Sequence, residues 1–323
     1  MKKGTKKILI GSSIALAGAA IGAVYNATLR ALMKVAIDRE TPKGYNKQRA
    51  RLIRHERLDE IIEKMSAAAK DLENSGCELI EIEGHDGVKL IGHLYLPENP
   101  KRFIVAMHGW RSSWCNDFGV IAPFWHKNDC AVLYAEQRGQ GESGGEYMGF
   151  GLLERYDCFD WIKWVNERTK AKYPIYLGGV SMGATTVLMT SGWELPSNVC
   201  GIIADCGFTS PKAIFQHVAN NNLKIPYKLY GAAANDICKK KWNLDSDSYS
   251  CTMALKDNKV PVLFVHGTDD TFVPISMTYE NYKSCTAPKK LFIVPGAQHG
   301  MSYIIDKKGY ENEVLNFWRK YDK

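Results

Sequence analysis

The sequence has no Cys-x-x-Cys pair and no group of histidines and cysteines at metal-ligand spacing, which argues against a zinc site. It carries no nucleic-acid-binding motif. Nothing in its composition marks a disordered, collagen-like or multi-span membrane protein: 45% of residues are hydrophobic and 24% charged, as in an ordinary folded body. The nine cysteines (Cys77, Cys115, Cys130, Cys158, Cys200, Cys206, Cys238, Cys251 and Cys285) are scattered and odd in number. In a chain of 323 residues they read as buried or free thiols rather than as a disulfide frame.

The net charge of +7 is unevenly placed. Residues 1–57 hold 13 Lys/Arg against 3 Asp/Glu, so the remaining 266 residues are slightly acidic. A basic N-terminus on an acidic body suits an anionic membrane surface better than a nucleic-acid groove. Lys2, Lys3, Lys6 and Lys7 precede Ile8 to Leu29, 22 residues without a charge and long enough to cross a bilayer. The leading expectation is a membrane anchor within residues 1–30. A cleaved signal peptide with Ala17-Gly18-Ala19 as its small-residue site, which would leave a secreted protein, and a buried or amphipathic helix in a cytoplasmic one remain open. Basic residues flank both sides, so orientation is not decided. Residues 31–76 form a charged, helix-favouring linker region, with Leu52, Ile53, Leu58, Ile61, Ile62 and Met65 at helical spacings.

Beyond Gly76 the pattern changes, and residues 77–323 are expected to form one catalytic domain. Glu78 to Glu83 and Lys89 to Leu96 alternate around Gly84-His85-Asp86-Gly87, the signal of a hairpin. Continuous apolar runs follow at Phe103–Met107, Ala131–Ala135, Ile175–Gly178, Gly201–Ala204, Val262–Val265 and Leu291–Val294. Buried parallel strands are continuous in this way, and the intervening helical patterns cover both faces. The expected fold is α/β, a doubly wound, mostly parallel sheet. Ligand sites in such sheets lie at the carboxyl ends of the strands. Four of these runs end in polar, reactive sequence: His108-Gly109-Trp110, Ser181 with its glycines, His266 to Asp270, and Gly296 to His299.

Gly179-Val180-Ser181-Met182-Gly183 is a weak pattern by itself. Its place between the Ile175 strand and the helical run from Ala184 makes it a strand–turn–helix elbow, with the Ser181 hydroxyl projecting above the sheet. A serine hydroxyl needs an adjacent base. Of eight histidines, His299 lies on a loop after the last strand and completes the chain order nucleophile, acid, base. His108 and His266 end strands and begin glycine turns, where a structural hydrogen-bonding role is the commoner reading. The acid is Asp270, Asp269 or Asp205, each following a strand. Two backbone N–H groups are expected in an oxyanion hole, one from Met182 after the nucleophile and one from the loop after the Phe103 strand, assigned to Trp110.

These residues resemble bacterial α/β-hydrolase-fold proteins of the serine aminopeptidase-like and acylaminoacyl-peptidase-like esterase type, from about Glu78 to Trp318. The resemblance is carried by His108-Gly109-Trp110, Glu136 to Ser143, Gly179 to Gly183, Ala204-Asp205-Cys206, His266 to Pro274, and His299-Gly300. It implies the α/β-hydrolase fold, selects Asp270 as the acid of a Ser181–Asp270–His299 triad, and points to carboxylic ester hydrolysis with peptidase and thioesterase members nearby. Relatives often have Asp where this chain has Glu136, a structural position.

Nearly 60 residues separate the Gly201 and Val262 runs, more than a crossover requires, so a helical lid is expected at about 208–258. Its many apolar and aromatic residues fit hydrophobic acyl or aryl esters. The function expected is therefore serine-dependent hydrolysis of a small ester or acyl substrate, without metal or organic cofactor. The alternatives are a peptidase, for which no propeller-sized gating segment exists, a thioesterase, and a non-catalytic membrane-tethered binding protein. The oligomeric state is not addressed by the sequence.

Overall fold

The computed structural model describes residues 23–40 and 56–322. Among the described residues the first element is a helix over residues 23–37 (α1), and α2 (Glu56–Glu73) and the hairpin β1 (Glu78–Glu83) and β2 (Lys89–Tyr95) follow. Then come β3 (Arg102–Met107), α3 (Trp114–Phe118), α4 (Ala122–Lys127), β4 (Cys130–Ala135), α5 (Glu154–Thr169), β5 (Ile175–Val180), α6 (Met182–Thr190) and β6 (Val199–Asp205). The β6–β7 connection carries α7 (Pro211–His217), a π-helical turn (Val218–Asn222), α8 (Tyr227–Trp242) and α9 (Cys251–Asp257). The chain ends with β7 (Val262–Gly267), α10 (Ile275–Ser284), β8 (Lys289–Val294), α11 (Ser302–Ile305) and α12 (Lys307–Tyr321).

The eight strands make one sheet in the order β1-β2-β4-β3-β5-β6-β7-β8. The hairpin joins antiparallel, through β2 on β4, and every pair from β4 to β8 is parallel. Each expected run is a strand, displaced by at most three residues at either end. β3 and β4 are buried along their whole length, which is why they read as unbroken apolar runs. Successive side chains point to opposite faces of the sheet. On β3, Phe103, Val105 and Met107 join one core, with Trp161 and Ile162 of α5 and Val187 and Leu188 of α6. Ile104 and Ala106 join the other, with Trp114, Phe118, Trp125 and the α12 residues Val314, Phe317 and Trp318. The two cores make the three-layer body that holds the strand ends in place.

Three serines cap helices over this scaffold. Ser113, Ser210 and Ser250 accept from the amides of Asn116, Ala213 and Met253 at the starts of α3, α7 and α9. In the lid region of the sequence Phe208, Ile214 and Trp242 are buried in the first core, whereas Leu223 and Leu229 are exposed. His217 and the Asn222 amide both meet the carbonyl of Thr271 at 3.2 Å, so this segment touches the loop after β7.

The N-terminal boundary expected at residue 30 falls inside α1. Leu29, Met33 and Ile37 of this helix are buried in the first core, Ile37 completely. Such burial contributes on the order of 2 kcal/mol for each side chain. Most of the uncharged stretch expected to be an anchor, residues 8–22, lies outside the described residues, as do 41–55 of the expected linker region. No helix among the described residues is long and apolar enough to cross a membrane.

Candidate active site

Ser181 stands between β5 and α6 with φ 55° and ψ −116°, a backbone that a residue with a side chain adopts only under constraint. The two neighbouring glycines show where the constraint comes from. A Cβ on Gly183 would lie 1.8 Å from the carbonyl oxygen of Met107 on β3, and a Cβ on Gly179 would lie 2.3 Å from that of Gly183. The elbow thus closes against β3 only because both positions lack side chains. The Ser181 amide donates to the Asp205 carbonyl at 2.9 Å, and its own carbonyl accepts from the Thr185 amide at 3.0 Å. Met182 begins α6, so its N–H has no partner within the helix and sits at the positive end of the helix dipole.

His299 lies on the loop after β8. Its Nε2 is 2.9 Å from Ser181 Oγ and its Nδ1 is 2.7 Å from Asp270 Oδ2. With Nδ1 carrying the proton toward the carboxylate, Nε2 is left to accept from the serine hydroxyl. Phe272 stands edge-on to the imidazole, 5.1 Å between ring centres.

Asp270 follows β7 and is buried. The amides of Phe272 and Val273 both donate to its Oδ1 at 2.9 Å. His266 Nε2 lies 3.2 Å from Oδ2. Burial alone would raise this carboxyl's pKa, but the hydrogen bonds of His266 and His299, the His299 charge and the Val273 amide outweigh it and hold the group well below the usual carboxylate range. Asp270 is therefore an anion whenever the site is folded near neutrality.

The other candidate acids stand apart. Asp269 is exposed and accepts from the Thr268 hydroxyl at 2.7 Å. Asp205 is buried behind the triad and accepts from the Ser302 hydroxyl at 3.0 Å; burial pushes its carboxyl up to about 6. Cys206 also stands behind the site, its sulfur within 4.8 Å of ligand-capable atoms of Asp270 and His299. Burial pushes its thiol well above the ordinary value, so it is a neutral thiol among groups already committed to one another.

On the opposite side of Ser181 the loop after β3 comes close. The Gly109 amide is held by Asp117 Oδ2 at 2.5 Å, and Asp117 Oδ1 accepts from the Ser112 hydroxyl. Trp110 follows, its indole N–H on the Ala36 carbonyl and its ring against Phe150 and Phe272 at 6.2 and 6.3 Å. Phe150 in turn meets Phe215 of α7 at 4.8 Å. An aromatic row therefore runs from His299 to the helices between β6 and β7.

The profile of the serine aminopeptidase family, S33, matches residues 98–250. The YqkD protein of Bacillus subtilis is 26% identical over 97% of both chains. The YfhR protein of Salmonella typhi is 24% identical over 69% of this chain and 74% of its own. Among solved structures, an esterase of Pyrococcus furiosus superposes with a TM-score of 0.64 at 23% identity, covering 79% of this chain and 94% of its own. The chain has the α/β-hydrolase fold, and over residues 98–250 it is similar to the serine aminopeptidase family. The acylaminoacyl peptidase of Pyrococcus horikoshii shares the hydrolase fold at TM-score 0.54 and 15% identity, over 77% of this chain and 43% of its own.

The structure brings Ser181, His299 and Asp270 into one hydrogen-bonded row and sets Trp110 and Met182 on the loop and helix that flank the serine. His266, expected in a structural hydrogen-bonding role, meets the Asp270 carboxylate. Three contributors are not named by the sequence: Asp117 fixes the Gly109 amide, Ser302 engages Asp205, and α1 docks on Trp110. Only α1 left a signal: Tyr25, Leu29, Met33 and Ile37 recur at four-residue spacing, one face of a helix.

Proposed function

We propose that the chain is a serine hydrolase that cleaves carboxylic esters through an acyl-enzyme on Ser181. The observation that carries this reading is the row Ser181 Oγ, His299 Nε2, His299 Nδ1 and Asp270 Oδ2, with separations of 2.9 and 2.7 Å, mounted on a strained elbow.

In the proposed reaction His299 takes the Ser181 proton as Oγ attacks the ester carbonyl. The amides of Met182 and Trp110 receive the developing oxyanion, each such donor being worth roughly 3 kcal/mol in comparable chemistry. Collapse expels the alcohol, protonated by His299. Water then attacks the acyl-serine, giving a proton to His299 and releasing the acid as Ser181 is reprotonated. Asp270, held anionic, keeps the imidazole tautomer and stabilises the imidazolium.

An ester is favoured over a free N-terminal peptide by the carboxylates near Ser181. An aminopeptidase needs an anion for the substrate ammonium. Asp117 is engaged by Gly109 and Ser112, Asp205 by Ser302, and Asp270 by two histidines. The Trp110, Phe150, Phe215 and Phe272 row instead suits an apolar acyl or aryl group. Residues 208–258 act as the lid over this row in the same reading, and residues 8–29 attach the chain to a membrane; persistence of full-length protein in the membrane fraction after alkaline carbonate washing checks the attachment.

The deciding experiment is labelling with a fluorophosphonate probe, together with hydrolysis of esters of graded acyl length and matched amides. Labelling and ester turnover are expected for the wild type and neither for folded Ser181→Ala. Labelling that persists in Ser181→Ala, or faster turnover of the amide than of its ester, refutes the proposal.

A further inference from the structure

Helix α1 ends without a glycine, and donors from the loops around Ser181 take the carbonyls at its end. The Trp110 indole donates to Ala36 O at 2.7 Å. Arg111 Nε donates to Val35 O at 2.8 Å, and its Nη2 to Asp38 O at 2.6 Å and, at longer range, to Lys34 O at 3.4 Å. The Met148 amide donates to Ile37 O at 2.7 Å. A helix leaves its last four carbonyls without partners of its own and is partially negative at that end. A guanidinium with a rigid fork of donors answers both needs at once.

Arg111 also has an unusual backbone. Its φ of 50° lies in the left-handed region, where a residue with a side chain stays only when its surroundings fix it. Its side chain is held by the α1 carbonyls and lies over the Trp110 ring, 5.6 Å from its centre. The residue immediately before it is Trp110, the assigned oxyanion donor. Arg39 makes a matching but separate clamp, with Nη2 on Gly141 O at 2.6 Å and Nη1 on the Ser143 and Gly145 carbonyls. That clamp ties the same N-terminal segment to the loop after β4 and does not touch the loop after β3.

We propose that Arg111 is a positioning residue: anchored on the terminal carbonyls of α1, it holds the turn that aims the Trp110 N–H at the oxyanion, which makes the N-terminal helix part of the catalytic assembly. This rests on the acyl-enzyme reading of Ser181. Arg111 does not touch the reacting atoms; it acts through the backbone geometry of its neighbour. Small displacements of a catalytic group cost about 10²-fold in rate, so the clamp has a large lever.

The test uses the full-length protein with a soluble short-chain nitrophenyl ester and a trifluoromethyl ketone bearing the same acyl group. Wild type, Arg111→Ala, Arg111→Lys, Arg39→Ala and Ser181→Ala are compared, with circular dichroism to establish folding. Arg111→Ala is expected to lower kcat by about 10²-fold while KM changes less than about threefold, because only the transition state uses the oxyanion donor. Affinity for the ketone, whose adduct carries the oxyanion, falls in proportion to kcat/KM. Arg111→Lys, a point donor in place of a fork, is intermediate, and guanidinium added to Arg111→Ala restores part of the rate. Arg39→Ala loses thermal stability but keeps kcat within about threefold of wild type, since it leaves the β3 loop clamped.

Folded Arg111→Ala with wild-type kcat and ketone affinity overturns the proposal. An equal loss of kcat in Arg39→Ala also overturns it, because the effect would then report general loosening of the N-terminal segment. If Arg111→Ala does not fold, Arg111→Lys decides, and unchanged kcat and ketone affinity in that variant overturn it. Turnover that survives in Ser181→Ala defeats the acyl-enzyme reading itself; Ser181-dependent turnover indifferent to Arg111 defeats only the positioning role.

Discussion

His266 Nε2 lies 3.2 Å from Asp270 Oδ2, the oxygen that His299 Nδ1 reaches at 2.7 Å. The triad carboxylate is thus shared between two histidines of unequal standing. His299 faces the serine; His266 is fully buried, with Nδ1 on the Thr278 hydroxyl at 2.7 Å and Nε2 also on the Val273 carbonyl at 2.9 Å. In the proposed mechanism His299 moves the proton while His266 holds the carboxylate from the other side.

Replacing His266 with Gln is expected to raise the pH at which the protein unfolds in acid. A carboxylate whose folded pKa is depressed contributes stability that is fully present above the unfolded value, near 4, and lost as pH falls through the folded value. Loss of the His266 hydrogen bond brings the folded value of Asp270 back toward the unfolded one, so the contribution shrinks. Acid titration of the far-UV circular dichroism signal measures the midpoint, and a midpoint identical to wild type contradicts this role.

Asp270→Asn should leave the fold in place and lower kcat by about 10⁴-fold, because an amide at this position no longer secures the tautomer that leaves Nε2 free to accept the serine proton. The corresponding Asp269→Asn variant, changed on an exposed neighbour, should keep wild-type turnover. Equal losses in the two variants would mean that the loop, rather than the carboxylate at 2.7 Å from His299, is what matters.

Much of this arrangement is legible in the sequence because its causes are local. β3 and β4 are buried on both faces, so they are written as unbroken apolar runs, and reactive residues at the ends of β3, β5, β7 and β8 mark the site. The elbow is legible because its backbone demands glycine at fixed offsets. What cannot be read has non-local causes. Asp117 reaches Gly109 from α3, and Ser302 reaches Asp205 from α11, pairings that no spacing encodes. The docking of α1 was obscured for a different reason: residues 23–29 continue an uncharged run whose length suggests a bilayer, while Leu29, Met33 and Ile37 pack on the body. Apolarity states that a face is buried without stating against what.

Gly183→Ala should be among the most damaging single-atom changes in the chain. The added Cβ would sit 1.8 Å from the Met107 carbonyl oxygen, a backbone atom of a central strand that cannot rotate aside. Overpacking commonly costs 1–3 kcal/mol, and an immovable partner places this site at about 3 kcal/mol or more. Thermal unfolding of the variant checks the figure. A melting temperature close to wild type would mean that β3 and the elbow separate more easily than their packing implies.

Asp205→Asn should stabilise the protein at neutral pH and do so less as the solution becomes acidic. Burial raises the Asp205 carboxyl to about 6 against an unfolded value near 4, so the folded state resists its ionisation. The protonated form is the one the fold tolerates. Stability associated with this group is therefore fully present below the unfolded value and is lost as pH rises toward and past 6, leaving a cost of about 3 kcal/mol above that. Asparagine is neutral at every pH, so it removes this cost, and its side-chain oxygen still accepts from the Ser302 hydroxyl, 3.0 Å away in the native site. The expected result is a melting temperature above wild type at pH 8 that converges on it near pH 4. A variant less stable than wild type at pH 8 would mean that the negative charge of Asp205 is needed beside His266 and His299, and the carboxylate would then have to be counted with the triad.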